Sequence, residues 1–255
     1  MLAEQLSMGP SACQRAKMES DGYVVIRRFF DSAEVARIAR WTEALAAAPE
    51  ISGRQWVYHE ASMTEPDRRV IQRIENFCPF HGGFSDLIEH GALRHWAAAL
   101  MGGPVALFKD KINFKMPGGA GFQPHQDQQA GWSQYAPLFL TAMVSIDPTT
   151  ATNGCLEMAP RIGGAGLMGD EWTPLDAAKL TLQPLPTAPG DVIFFDSMVP
   201  HGSKPNLTDT ARRVLYLTFN LAAHGDQRSR YFADKHAAFP PDIDRDPGQS
   251  YVFRV

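Results

Sequence analysis

Two segments of this 255-residue chain carry side chains that could share one metal ion. In Gly121-Phe122-Gln123-Pro124-His125-Gln126-Asp127 an imidazole and a carboxylate stand two residues apart. On an extended backbone, positions i and i+2 project to the same side, so both groups can reach a single ion. Alone, such a pair is a common accident of composition. It gains weight from Pro189-Gly190-Asp191-Val192-Ile193-Phe194-Phe195-Asp196, an apolar run leading through Met198-Val199-Pro200 to His201-Gly202-Ser203. That pattern predicts a strand that delivers His201 at its end. Two imidazoles and one carboxylate, here His125, Asp127 and His201, form the facial set that holds Fe(II) and leaves adjacent coordination positions open. A closed tetrahedral zinc site leaves none.

Arg212 follows His201 by eleven residues and opens the strand-like Arg213-Val214-Leu215-Tyr216-Leu217-Thr218-Phe219. A dicarboxylate co-substrate that chelates iron through a 2-oxo acid needs a cation at its far end, and a planar guanidinium meets a carboxylate with two prongs. Arg212 is the candidate, with Arg213 on the opposite face; a one-residue change of register would exchange them. In Phe108-Lys109-Asp110-Lys111-Ile112-Asn113-Phe114-Lys115 the odd-numbered polar residues share one face. Lys111 and Asn113 are placed near the co-substrate and Lys109 near substrate, against the alternative of a solvated strand face. Gln126, Gln128 and Trp132 suit a pocket wall for a small polar or cationic guest. Arg73 and Asn76, in Gln72-Arg73-Ile74-Glu75-Asn76-Phe77, could reach substrate, with an ion pair on an outer surface as the alternative. Of the other histidines, His81 could overhang the pocket, while the rest read as surface or capping residues.

The elements that must position these groups follow from periodicity. Residues 1–20 lack a strong period and predict a loose or weakly helical lead-in, before a β-branched strand at Gly22-Tyr23-Val24-Val25-Ile26. Asp31 and Glu34 form a capping box ahead of an amphipathic helix that ends near Pro49. A second helix is predicted from about Phe84 to Met101, closed by Gly102-Gly103-Pro104. From Val105 onward, short apolar runs alternate with Gly, Pro, Asn and Asp breaks, predicting strands near 105–116, 138–146, 154–159, 180–185, 191–195 and 213–221. The fold class is therefore α+β with a mostly β core, a cupin-like jelly roll flanked by N-terminal helices. No linker or repeat divides the chain, so residues 1–255 are read as one domain with a C-terminal extension at 225–255.

A net charge of −4 and a sequence pI near 6.1 supply no basic stripe for a phosphate backbone, so nucleic acid is excluded and a small-molecule substrate expected. No apolar run reaches membrane-spanning length, and no secretory leader is evident, which predicts a cytoplasmic protein without membrane partners. Cys13, Cys78 and Cys155 are odd in number and widely spaced, which predicts neither a disulfide framework nor a zinc knuckle.

The ordered set of His125-Gln126-Asp127, the apolar strand before His201-Gly202-Ser203, Asn206 with Thr208, and Arg212 closely resembles the phytanoyl-CoA hydroxylase family of 2-oxoglutarate dioxygenases. The resemblance runs from about Gly22 to Leu221 and includes Ile146-Asp147 followed by Asn153-Gly154-Cys155-Leu156. It implies a double-stranded β-helix, Fe(II) held by His125, Asp127 and His201, and 2-oxoglutarate clamped by Arg212 with help from Ser203. It also implies that dioxygen and 2-oxoglutarate are consumed, yielding succinate and carbon dioxide, while an aliphatic C–H of substrate is hydroxylated. Halogenating relatives replace the carboxylate by a small residue, so Asp127 favours hydroxylation. One departure is Leu140, which aligns where the family enzyme has a tryptophan beside the co-substrate. The Gln72 to Phe77 run and the Lys109 to Lys115 run are similar to a bacterial subgroup that includes 2-aminoethylphosphonate hydroxylases, and lysines suit a phosphonate or carboxylate head group. The competing readings are a non-catalytic cupin-like binding protein and a zinc hydrolase on the same three ligands.

Overall fold

Eleven short strands form among the described residues, and their pairing is antiparallel throughout. They are β1 (Tyr23–Ile26), β2 (Trp56–Ala61), β3 (Arg69–Glu75), β4 (Val105–Lys115), β5 (Phe122–His125), β6 (Phe139–Ser145), β7 (Leu156–Met158), β8 (Gln183–Pro184), β9 (Val192–Asp196), β10 (His201–Ser203) and β11 (Arg212–Leu221). The computed structural model describes residues 9–161 and 166–252. A seven-stranded sheet runs β1-β9-β6-β11-β4-β3-β2, and a four-stranded sheet runs β5-β10-β7-β8. The helices are α1 (Ala12–Asp21), α2 (Ser32–Ala47), α3 (Gly82–His90), α4 (Ala92–Met101) and α5 (Arg228–Ala238).

The large sheet is buried on both faces, which is why its central strands read as continuous apolar runs rather than clean alternation. Outward-facing Leu140, Ala142, Phe194, Leu215, Leu217 and Phe219 pack with Ile38, Leu45, Phe84, Ile88 and Trp96 of the helical layer. Their inward neighbours Met143, Ile193, Phe195, Val214 and Tyr216 pack with Leu156 and Met158 of the small sheet. A third, aromatic cluster of Trp56, Tyr58, Phe108, Trp132, Phe139, Tyr231 and Phe232 closes one end of the sandwich. This is the expected α+β, β-rich jelly roll.

Local details depart from the sequence reading. Of the two readings of the lead-in, loose or weakly helical, the described part takes the helical one as α1, capped by a reciprocal Ser11–Gln14 box and ended by Gly22 at φ 78°, with only Met18 of it buried. Residues 1–8 of that lead-in lie outside the described residues. The predicted Phe84–Met101 helix is two helices broken at Gly91, whose backbone is extended and where a Cβ would stand 2.1 Å from the Leu87 carbonyl oxygen. Strands β2 and β3 were not predicted, because β3 buries Arg73 and Glu75 and so lacks polar–apolar alternation. The strand expected at 180–185 shrinks to the two residues of β8. Within 225–252, helix α5 buries Tyr231 and Phe232 in the aromatic end cluster.

Candidate metal centre

The apolar strand does not itself carry His201. β9 ends at Asp196, residues 197–200 cross to the other sheet, and His201 begins β10, directly opposite His125 of β5. Antiparallel pairing thus brings together two imidazoles 76 positions apart, with ring centroids 4.3 Å apart. Asp127 enters from the single turn that follows β5. His125 Nε2 is 3.9 Å and His201 Nε2 is 3.8 Å from Asp127 Oδ1, and the three ligand atoms lie within 4.8 Å of one another.

The protonation pattern suits a cation. Nδ1 of His125 lies 2.7 Å from the Gln123 carbonyl oxygen, and Nδ1 of His201 lies 2.9 Å from that of Val199. A carbonyl only accepts, so both Nδ1 atoms carry hydrogen and both Nε2 lone pairs face Asp127. Burial, reinforced by the charge of His201, lowers the His125 pKa to about 3, which keeps its imidazole neutral. Burial would raise the Asp127 carboxyl, but His201, His125, Lys111 and Lys109 together hold it below its usual range. Two neutral nitrogens and one carboxylate oxygen are a donor set for a divalent transition metal, and three donors leave coordination positions free. The residues fit Fe(II).

The cavity beside these ligands is walled by Lys109, Lys111, Asn113, Trp132, Ser203 and Tyr216 from the predicted elements, and by Phe122, Thr141, Leu156, Phe195 and Thr218, which the sequence reading did not single out. The alternation of β4 turns Lys109, Lys111 and Asn113 inward together. Lys111 Nζ sits 4.6 Å from the centre of the Tyr216 ring, and burial, with the neighbouring charge of Lys109, lowers its pKa to about 7. Asn113 keeps a buried Oδ1 with no partner.

Arg212 and Arg213 take opposite sides of β11. Arg213 grips Asp147 with Nε and Nη2, each at 2.8 Å, and adds Glu43 at 3.1 Å. Arg212 is 1% exposed, and its Nε and Nη1 have no hydrogen-bond partner. It shares its strand face with Tyr216 and Thr218 of the cavity wall. Across the ladder lies Lys115, whose ammonium donates to Ser203 Oγ at 2.7 Å and to the Lys204 carbonyl. A buried guanidinium without an anion is costly, so this cradle fits a carboxylate. Lys115 is a residue the sequence reading placed on the right face without assigning it; its signal was the alternation it continues.

Several expected contacts are corrected. Gln126 spends its amide on the carbonyls of Met198 and Gly166 and on the Met168 N–H. Gln128 spends its own on Ser133, Ala136 and Ser197. Both therefore brace the metal loop rather than wall the pocket. Arg73 is buried in an ion pair with Glu75 and lies 4.0 Å over the Tyr58 ring, so its pair is internal, not on an outer surface. Asn76, at φ 54°, accepts from Arg228 and lies off the cavity wall. His81 caps α3 by accepting from the Phe84 N–H and does not overhang the pocket. Leu140 packs outward against the helical layer, so the predicted substitution beside the co-substrate falls away; Thr141 is its inward neighbour.

The chain matches the family model "Phytanoyl-CoA dioxygenase (PhyH)" over residues 18–214. It is 37% identical over 242 residues to a 2-aminoethylphosphonate dioxygenase of uncultured bacterium HF130_AEPn_1, covering 93% of this chain and 92% of the relative. It is 36% identical over 230 residues to a methylphosphonate hydroxylase of Gimesia maris, covering 89% and 86%. Among solved structures, EctD of S. alaskensis with 2-oxoglutarate and 5-hydroxyectoine superposes with a TM-score of 0.72 at 24% identity, covering 84% of this chain and 77% of that one, a likeness of fold. On this match this chain belongs to the phytanoyl-CoA dioxygenase family, the iron- and 2-oxoglutarate-dependent dioxygenases.

Proposed function

We propose that the chain hydroxylates an aliphatic C–H of a small phosphonate, with His125, Asp127 and His201 holding Fe(II) and Arg212 holding the far carboxylate of 2-oxoglutarate. The observation that carries this reading is the buried Arg212 guanidinium with unpartnered Nε and Nη1 at the head of a strand face that lines the metal cavity. A metal-binding protein without turnover has no use for such a group, and a zinc hydrolase needs a general base instead. Both alternatives also sit poorly with relatives named as dioxygenases and hydroxylases.

When bound, iron and 2-oxoglutarate supply the power to remove hydrogen from an unactivated carbon. The protein's own groups do the rest. Arg212 offers a two-pronged cation, and Ser203, its hydroxyl held by Lys115, can donate its proton to the same carboxylate. Lys111 and Asn113 orient the co-substrate from the β4 wall. Asp127 stays ionised and keeps the third ligand position occupied by oxygen. Phe122, Leu156, Phe195 and Trp132 exclude water around the reacting carbon. The substrate class rests on the relatives named for 2-aminoethylphosphonate and methylphosphonate, and on lysines facing the cavity. We assign residues 1–255 to one catalytic domain in the cytoplasm, where Cys13, Cys78 and Cys155, all free, stay reduced. No helix among the described residues is long and apolar enough to cross a membrane.

A succinate-release screen of the iron-loaded protein tests the reading, using methylphosphonate, 2-aminoethylphosphonate and their carboxylate counterparts with 2-oxoglutarate and air. Succinate formation that depends on a phosphonate, with a hydroxylated phosphonate as product, is expected. Coupling only to the carboxylates would overturn the assignment.

A further inference from the structure

One row of the cavity wall has incomplete hydrogen bonding. Register across the large sheet sets Thr218 of β11 opposite both Thr141 of β6 and Lys109 of β4, and sets Thr141 opposite Phe195 of β9. All four side chains line the cavity. The row therefore passes from an aromatic ring to two hydroxyls and then to an amine, in steps of about 4.8 Å, the spacing of paired strands. Its aromatic end is fixed with respect to the metal centre, since the Phe195 and His201 rings lie 5.0 Å apart, centre to centre.

Thr141 and Thr218 are 2% and 3% exposed, and their hydroxyl oxygens stand 3.0 Å apart. Each hydroxyl carries one hydrogen, and the bond between them uses one of the two. Whichever oxygen accepts in that bond keeps a hydrogen of its own, and neither hydroxyl has a further partner among the described residues. A desolvated O–H without an acceptor is costly. Lys109, next along the row, adds N–H donors rather than an acceptor. Among the described residues lining this cavity, Asp127 is the one carboxylate, and it belongs to the metal set. What completes the row is an acceptor brought by a ligand.

We propose that the Thr141 and Thr218 hydroxyl pair is a specificity-determining contact for an anionic oxygen of the substrate, which lies along the row with its oxidised carbon toward Phe195. That the anion is a phosphonate rests on the proposed function; the demand for an acceptor rests on the hydroxyl pair. An ionised phosphonate oxygen accepts the spare hydrogen, while the apolar carbon it carries meets Phe195, beside the metal ligand His201. Threonines paired across strands also stabilise sheets by themselves, so the test must separate hydroxyl from packing.

The test is binding of methylphosphonate and of inorganic phosphate to the full-length protein loaded with Co(II) and 2-oxoglutarate, measured by calorimetry, beside turnover of methylphosphonate by the iron form. Thr141→Val combined with Thr218→Val keeps the shape of both side chains and removes both hydroxyls. This double variant should bind both anions about 30-fold more weakly and raise KM far more than it lowers kcat, with 2-oxoglutarate affinity unchanged. Either single valine variant should lose less, about 5-fold, because the surviving hydroxyl can turn its hydrogen to the ligand. Thr141→Ser combined with Thr218→Ser keeps both hydroxyls and should stay within about 3-fold of wild type. A loss there as large as in the valine pair would make packing the cause and overturn the inference. So would unchanged anion affinity in the folded valine pair, or a wild type that binds neither anion. Should the valine pair fail to fold, Thr218→Val decides by the same criterion. Wild-type protein that binds phosphate through the hydroxyl pair yet oxidises no phosphonate would sink the proposed substrate and leave the anion contact standing.

Discussion

The two ends of the cavity are built by different means. At the metal end, the small sheet and β11 carry the functional groups on strands whose register fixes them, as in the pairing of His201 with His125 and of Arg212 with Lys115. At the opposite end, the charged groups come from β3, β4 and the C-terminal helix, and are fixed by charge and aromatic contact. Backbone ladders place atoms through a dense, cooperative set of hydrogen bonds, whereas a helix docked by a few buried ion pairs depends on each of them. The metal end should therefore be common to many chemistries, and the far end should vary with substrate.

The sharpest way to break this contrast is to undock the helix. Asp110 is fully buried on β4; it accepts from the Cys78 N–H at 2.7 Å and pairs with Arg228 of α5 at 2.6 Å. Asp110→Ala strands both partners and should cost about 3–5 kcal/mol in urea unfolding. Below its transition the variant should still bind iron and 2-oxoglutarate normally while KM for substrate rises. Equal loss at both ends would make the cavity one cooperative unit.

The metal end has a brace of its own. Gln126 ties the His125–Asp127 loop to the Met198 carbonyl in the crossing that leads to His201, and to the 166–168 segment. Gln126→Ala should weaken iron about 10- to 100-fold, by analogy with lost partners around other metal ligands, without altering methylphosphonate affinity for iron-saturated protein. Competition with a chelator measures it. Retained iron affinity would show that strand pairing alone sets the ligand spacing.

The smallest effect concerns pH. Burial, together with the charge of Arg212, lowers the Lys115 pKa to about 7. In the unfolded chain Lys115 keeps its ordinary, higher value, so between about pH 7 and 10 the unfolded state binds more protons and stability rises with pH. Relative to Lys115→Met, wild-type stability without ligands should climb by about 1 kcal/mol per pH unit across that window. A flat difference would mean that Lys115 is solvated.

What the sequence disclosed follows the same division. Convergence of His125, Asp127 and His201 was legible because spacing on extended backbone and an apolar run both survive as pattern. The opposed faces of Arg212 and Arg213 were legible from the period of two. The far end was not, because its strands bury charge: Arg73 reads as a substrate contact or half of an outer-surface ion pair until buried Glu75, and the groups that Glu75 meets on β4 and on a helix 160 residues away, are known. Gln126 and Gln128 illustrate the converse error, since amides beside a metal motif look available until the backbone carbonyls that consume them are seen. Helix α5, with its weak apolar period, gave no sign that it would dock on β3 and β4 through Lys235 and Arg228.

Arg212 offers the most direct test of the central claim. Anaerobic titration of the iron-loaded protein with 2-oxoglutarate, followed by the visible absorption that the two develop together, compares wild type with Arg212→Ala. The expected result is a half-saturation point raised about 100-fold in the variant, with iron affinity intact. Superimposable titration curves from a folded variant would mean that the buried guanidinium does not meet the co-substrate.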